Sequence, residues 1–306
     1  MADVLGLLVM AYGTPADPGD IERYYTDIRG GRTPSPEALA ELRDRYAAIG
    51  DEFPLTRITN EQATGLEAEL RRQGVETRAF VGMKHSPPFI DEAVAAMRDA
   101  GVERAVGIVM APHYSRLSIG SYAERARTAA DGIDLDVIES WWSTPSFLDL
   151  LAGRTRAALE RLPEEERDRA LVAFTAHSLP ARIVDEGDPY PEELRGTAKA
   201  VAERLGLTDF TTGWQSAGRT PEPWLGPPLE ETIEEAAAKG YPAIVVCPCG
   251  FVSDHLEILY DLDIEAQEVA RAAGIRLVRT ESPNADPAFI RALADVVRDH
   301  LAQRVS

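Results

Sequence analysis

The chain has 306 residues, 44% of them hydrophobic and 27% charged, with a formal net charge of −19 at neutral pH. That length allows one large domain or two ordinary ones with a well-buried core, and the acidity argues against nucleic acid or anionic lipid as a partner. No apolar run reaches the ~20 residues that cross a bilayer, and the N-terminus lacks the basic-then-apolar order of a signal peptide, so the expected location is the cytoplasm. Only Lys84, Lys199 and Lys239 are lysines; an anionic ligand would have to be met by gathered arginines.

In chain order, an apolar run at residues 4–11 predicts a strand, followed by helices over 35–47 and 61–73, a strand over 77–82 and a helix over 88–100. Strands over 105–111 and 136–140 follow, then a helix over 146–161. The rhythm returns with a strand over 170–176, a helix over 191–205, a strand over 209–214, a helix over 228–239 and strands over 243–248 and 276–280, and a last helix covers 287–303. Buried β-branched runs alternating with amphipathic stretches specify an α/β protein. The predicted architecture is two similar Rossmann-like lobes, each a four-stranded parallel sheet flanked by helices, over residues 1–145 and 146–306, with the last helix free to pack back on the first lobe. Cys247 and Cys249, one residue apart, cannot pair in an ordinary disulfide and read as small buried residues at a strand end.

Ligands of such sheets bind beyond the carboxyl ends of the strands. No Gly-x-Gly-x-x-Gly follows a strand, and no Gly-x-x-x-x-Gly-Lys or Gly-x-Ser-x-Gly is present, so nucleotide and α/β-hydrolase signatures are missing. Tyr12, His113, His177 and Glu257 instead fall at strand ends. Glu257 stands in Gly-Phe-Val-Ser-Asp-His-Leu-Glu, where Asp254 is placed to cap a helix. Asp261 and Glu265 then follow at i+4 and i+8 on one face. A stripe of this kind is either an acidic surface or a file that passes cations or protons. His177, in Thr-Ala-His-Ser-Leu-Pro, is followed by an extended exit that leaves its ring at the cleft. His255 reads as a packing histidine, His85 and His113 as rim residues, and His300 as a surface residue. Tyr12, Arg29, Arg32, Arg45, Tyr46, Arg116 and Tyr122 could line a flat, anionic, aromatic ligand, with arginine forks on its carboxylates. An imidazole and a carboxylate in one cleft can hold a divalent metal weakly or take protons from a weakly acidic N–H.

Five separated blocks in order carry a resemblance. They are Gly6 to Pro15, Asp20 to Tyr25, Ala176 to Pro180, Gly213 to Ser216 with Trp224 to Pro227, and Gly250 to Glu257. Nearly end to end, the chain resembles the ferrochelatases, and in particular the soluble coproporphyrin III ferrochelatases of Gram-positive bacteria. The resemblance implies the class II chelatase fold and insertion of Fe²⁺ into a porphyrin held between the lobes. It matches His177 to the catalytic histidine and Glu257 to its partner carboxylate, both also metal-facing. Tyr12 matches a tyrosine that approaches the metal from the opposite face. Arg29, Arg45, Tyr46, Phe53 and Tyr122 fall at porphyrin-contacting positions, and Asp261 and Glu265 along the relay behind the site.

Two departures stand out. Gly30 occupies a place where similar proteins can carry a second arginine, and Phe53 one that is elsewhere serine. With no cysteine after Cys249, no iron–sulfur cluster is expected; Fe²⁺ is a substrate and no cofactor is permanently bound. The apolar lip of the animal enzymes is missing, which favours coproporphyrin III over protoporphyrin IX and gives no reason to expect membrane insertion. The expected form is a monomer, with His177 neutral at working pH. The alternatives are a haem or porphyrin carrier with Tyr12 as axial ligand, and a chelatase for protoporphyrin IX or another tetrapyrrole.

Overall fold

Strand β1 (Leu5–Ala11) is Leu-Gly-Leu-Leu-Val-Met-Ala, buried at every position after the first. A strand apolar on both faces must be covered on both, the environment of a parallel strand between helices. The computed structural model, which describes residues 4–218 and 220–305, builds two such sheets. In the first, β1 is joined by β2 (Thr77–Met83), β3 (Arg104–Val109) and β4 (Asp134–Ile138) in the order β2-β1-β3-β4. The second repeats that order as β6-β5-β7-β8, from β5 (Leu171–His177), β6 (Phe210–Gln215), β7 (Ala243–Cys247) and β8 (Arg276–Arg279). Every pairing is parallel, as predicted, with strand ends shifted by one or two residues.

The helices are α1 (Ile21–Ile28), α2 (Pro36–Ala48), α3 (Leu55–Arg72), α4 (Ile90–Asp99), α5 (Ile119–Ala129), α6 (Pro145–Glu160), α7 (Glu164–Arg167), α8 (Arg182–Asp185), α9 (Tyr190–Leu205), α10 (Leu229–Ala238), α11 (Leu256–Leu259), α12 (Gln267–Ala273) and α13 (Pro287–Val305). Helix α3 starts six residues before its predicted position, at Leu55 rather than residue 61. Its polar first turns look like loop, yet Thr59 Oγ1 and Asn60 Nδ2 donate to the carbonyls of Leu55 and Thr56, each at 2.8 Å. Such back-bonding lets short polar side chains live inside a helix.

Helix α13 packs against both α3 and α6. Its Phe289, Leu293 and Val297 join one apolar cluster that runs from Leu7 and Leu66 of the first lobe through Phe147 to Phe174 and Val245 of the second. The two sheets therefore share a core rather than meeting at a polar seam.

His113, expected at the rim, is instead only 2% exposed. It sits after β3, and its Nε2 lies 2.8 Å from Thr197 Oγ1 on α9, tying the lobes together. Burial pushes its pKa down to about 3. An imidazole held neutral in the fold but free to take a proton near pH 6.5 when unfolded stabilises less and less as pH falls below 6.5. At pH 5 this one group should remove about 2 kcal/mol of stability relative to pH 7.5. Urea unfolding of wild type and His113→Gln at the two pH values checks it; an equal acid loss in both proteins would contradict it.

Candidate active site

His177 is the last residue of β5, and it is held at two points, one on the ring and one on the backbone. Nδ1 bonds the carbonyl of Ser178, while the backbone oxygen of His177 accepts from Tyr190 Oη at 3.0 Å. A carbonyl can only accept, so Nδ1 carries a proton and Nε2 is the nitrogen turned to the cleft. Nε2 lies 3.4 Å from Glu257 Oε1, with the two side chains about 30% exposed. His255 Nε2 lies 3.6 Å from the other oxygen of Glu257, and its Nδ1 likewise meets a carbonyl, that of Ser253 at 3.0 Å. Glu257 is thus set between two imidazoles of the same orientation.

The close approach of His177 and Glu257 depends on Gly250. A Cβ there would stand 2.5 Å from the Cβ and 2.8 Å from the Cα of Ala176. Only a bare backbone lets the loop after β7 run against the end of β5. Gln215, at 3% exposure, fixes the other side: its Nε2 donates to the Glu257 carbonyl at 3.2 Å and its Oε1 accepts from Thr175 at 2.8 Å.

Asp254 does not cap the following helix. α11 begins after His255 without a side-chain cap, and the Asp254 carboxylate accepts from Ser282 Oγ at 2.7 Å and Asn284 Nδ2 at 2.8 Å. Nor is the file one straight α-helix. After the single turn of α11 the chain widens into a π-helix, Asp261–Ala266. Four residues overshoot one α-turn and fall short of a π-turn, so the two errors oppose and Glu265 is rotated back towards the line of Glu257.

The charges are shared out. Burial is the largest influence on Glu257 and would raise its pKa, but His177 and His255 together hold it well below the usual carboxylate range. Burial opposes the charge on His177, yet Glu257, the Ser178 carbonyl and Asp261 raise its pKa. The reference pKa on which the neutral reading rested is therefore shifted in the direction that favours the charged form, with Glu257 as the chief cause. Asp261, 6% exposed, is pushed up to about 6 by burial foremost, with Glu257 and Glu265 adding and Arg45 and Ser216 opposing. Arg45 forms an ion pair with Asp261 and lies over the Tyr260 ring at 4.8 Å, and Ser216 Oγ donates to the same carboxylate. Glu265 is exposed.

The remaining positions lie in the first lobe. Tyr12 is 41% exposed and tilts against His85 at 4.6 Å; enclosure in the cleft and then Glu257 raise its phenol pKa. His85 is at the rim as expected, its Nδ1 2.6 Å from Asp27. Tyr46 and Phe53 stack at 4.7 Å, so Phe53 contributes a ring face there. Tyr122 is buried, with Lys84 Nζ 4.9 Å from its ring. Arg29 is exposed against Tyr25, Arg32 bonds the Arg29 carbonyl, and Arg116 pairs with Glu186 rather than facing the cleft residues. Half-buried His300 bonds Asp136 at 2.9 Å. Sequence reasoning passed over Lys84, Gln215 and Ser216 as site residues, although the last two stand in the Gly-Trp-Gln-Ser block that carried part of the resemblance. A separate cavity of about 710 Å³, lined in part by Arg72, Ser146, Arg154, Asp286 and Arg291, includes neither His177 nor Glu257. Its Arg154 and Arg72 are met by Asp286 and Glu69.

The ferrochelatase family model matches residues 4–301. The chain belongs to the ferrochelatase family. It is 50% identical over 304 residues to the coproporphyrin III ferrochelatase of Geobacillus kaustophilus, covering 97% of this chain and 96% of that one. With the coproporphyrin III ferrochelatase of Bacillus subtilis strain 168 it shares 47% over 305 residues, 98% of each chain. Among solved structures, SirB from Bacillus subtilis superposes with a TM-score of 0.56 at 11% identity, over 97% of this chain and 95% of SirB. DR2241 of Deinococcus radiodurans gives 0.55 at 12% identity, over 96% of this chain and 55% of that one. These two likenesses speak to fold alone: two parallel sheets of chelatase type. Among the described residues, no helix is long and apolar enough to cross a membrane.

Proposed function

We infer that this chain is an enzyme, a lyase of haem biosynthesis, that inserts Fe²⁺ into coproporphyrin III with release of the two pyrrole protons. The observation that carries the reading is the pairing of His177 Nε2 with Glu257 at 3.4 Å, across strand ends of one sheet, in a chain nearly half identical to coproporphyrin III ferrochelatases over almost its whole length. One imidazole and one carboxylate suit Fe²⁺ but are too few to trap it, and the metal has to leave for the macrocycle.

Planar porphyrin turns its nitrogen lone pairs away from an arriving ion, so a cleft that bends the ring moves it towards the transition state. Tyr12, Tyr46, Phe53 and Tyr122 supply rings for its faces, and Arg29 and Arg45 cations for its carboxylates. Arg45 would have to exchange Asp261 for a propionate. With Nδ1 committed to Ser178, His177 offers Nε2 alone, and it must surrender its own proton before taking one from a pyrrole or touching iron. Fe²⁺ entering between His177 and Glu257 favours that loss by its charge. Asp261, with a pKa of about 6, can both accept and release a proton near neutrality, and exposed Glu265 opens the file to water. A porphyrin carrier would have no use for this file.

An anaerobic assay with Fe²⁺ tests the substrate. Turnover of coproporphyrin III is expected to exceed that of protoporphyrin IX by tenfold or more, the value of one well-placed carboxylate–arginine contact of about 1.4 kcal/mol. Faster turnover of protoporphyrin IX would reverse the preference and leave metal insertion standing; no turnover of either would remove the reading.

A further inference from the structure

The loop that delivers Glu257 is splinted by a residue with no contact to the reacting groups. Asn284, in the turn between β8 and α13, uses all four of its polar groups. Its N–H donates to the Val252 carbonyl at 2.8 Å, its Oδ1 accepts from the Asp254 N–H at 2.8 Å, and its Nδ2 donates to the Asp254 carboxylate at 2.8 Å. Its carbonyl accepts from Gln62 Nε2 at 3.0 Å. Gln62 is fully buried on α3 of the first lobe, and the same amide nitrogen also donates to Ser253 Oγ at 2.9 Å. Three successive residues of the loop, 252–254, are thereby held, and the network reaches across to the other lobe.

Asn284 does this from a left-handed backbone with φ of +47°, a conformation that asparagine tolerates better than most residues but that still carries strain. Loops ordinarily satisfy their polar groups with water. A buried glutamine sent from another lobe to bond the Glu257 loop at Ser253 and its splint at Asn284 is a large commitment of desolvated polar surface. Helix α3 begins just after Phe53 and Pro54, the end of the segment that carries the first-lobe aromatic wall. The Gln62–Ser253 bond therefore fixes the Glu257 loop relative to that wall.

We propose that Asn284 and Gln62 are positioning residues for iron insertion, holding the Glu257 carboxylate at its working place between His177 and the porphyrin wall. This rests on the chelatase reading above. The side-chain bonds of Asn284 act only on the loop bearing Glu257, so their loss should be felt in the handling of metal and protons and not in porphyrin binding.

The test is Asn284→Gly, which accepts the positive φ and keeps both backbone bonds while deleting both side-chain bonds, together with Gln62→Met, which keeps the volume and deletes the two bonds across the lobes. Steady-state kinetics with Fe²⁺ and coproporphyrin III, porphyrin affinity by fluorescence quenching and thermal melting are measured for both. The expected result is a fall in kcat of tenfold or more and a raised KM for Fe²⁺, with porphyrin affinity within about twofold, in each variant; the double variant should lose less than the product of the two effects. Variants with kcat and KM for Fe²⁺ within twofold of wild type would refute the proposal. So would variants whose porphyrin affinity and melting temperature fall in step with kcat, since that is general damage. If the wild type itself fails to insert iron, the chelatase reading fails first, and the two failures are told apart by that control.

Discussion

His177→Ala is expected to lose iron insertion by about a hundredfold to ten-thousandfold, the range of a positioned proton-transfer group, or roughly 3–5 kcal/mol at the barrier. The fold should survive it. The ring is about one-third exposed, its Nδ1 bond goes no further than the next residue, and its contact with Phe251 is a loose 6.4 Å between centroids. Porphyrin affinity should stay within about threefold, because Tyr46, Phe53 and Tyr122, the rings proposed above to meet the macrocycle, belong to the other lobe. Glu257 would be left with His255 alone, and its pKa should climb as the larger of its two imidazole influences is lost. Anaerobic single-turnover mixing with Fe²⁺, beside circular dichroism of the same sample, makes the measurement. An alanine variant that inserts iron at the wild-type rate would end the assignment of His177 as base or ligand.

Gly250→Ala should be almost as damaging, for a different reason. The new methyl would be placed 2.8 Å from the Ala176 Cα, and backbone on both sides leaves no rotamer to relieve the clash. The loop must lift away from β5, taking Glu257 from His177. Overpacking of this kind costs about 1–3 kcal/mol of stability, and a displacement of about 1 Å at reacting groups costs about a hundredfold in rate. Urea midpoint and kcat are both expected to fall. Adding Ala176→Gly removes the nearest atom, the Cβ at 2.5 Å, and should restore part of each. A single variant with unaltered midpoint and rate would show that the loop does not depend on this contact.

How much was legible follows from where each signal lies. The eight strands were readable because β1 and β7 are apolar along their whole length and β5 over its first four residues, a pattern with few alternative explanations. Helices α1 and α5 were missed because each is short and carries little beyond its own local pattern. The polar start of α3 was missed because Thr59 and Asn60 resemble a loop until their bonds to Leu55 and Thr56 are seen. His177 and Glu257 stood out by position and neighbourhood, and the structure brings their side chains together. The rise in the His177 pKa was not legible because a reference value knows nothing of a carboxylate 80 residues away in the chain. His113 was misplaced for the same reason: its partner Thr197 is on another lobe. Asp254 has the residue type and spacing of a cap, and only the tertiary fold gives its carboxylate to Ser282 and Asn284. The π-turn at Asp261 has no local sequence signature at all, since it changes which residues share a face without changing their spacing.

The apolar cluster common to both sheets has a consequence for biosynthesis. Leu66 and Leu70 of α3 belong to this cluster, and α3 packs on one side against β1 and β2 of its own lobe and on another against α13, the last helix. A nascent chain halted before residue 287 would leave the side of α3 that meets α13 uncovered, while β1 and β2 cover the other. The first lobe therefore gains its last packing partner only when translation has run through α13, which ties its completion to the end of the chain.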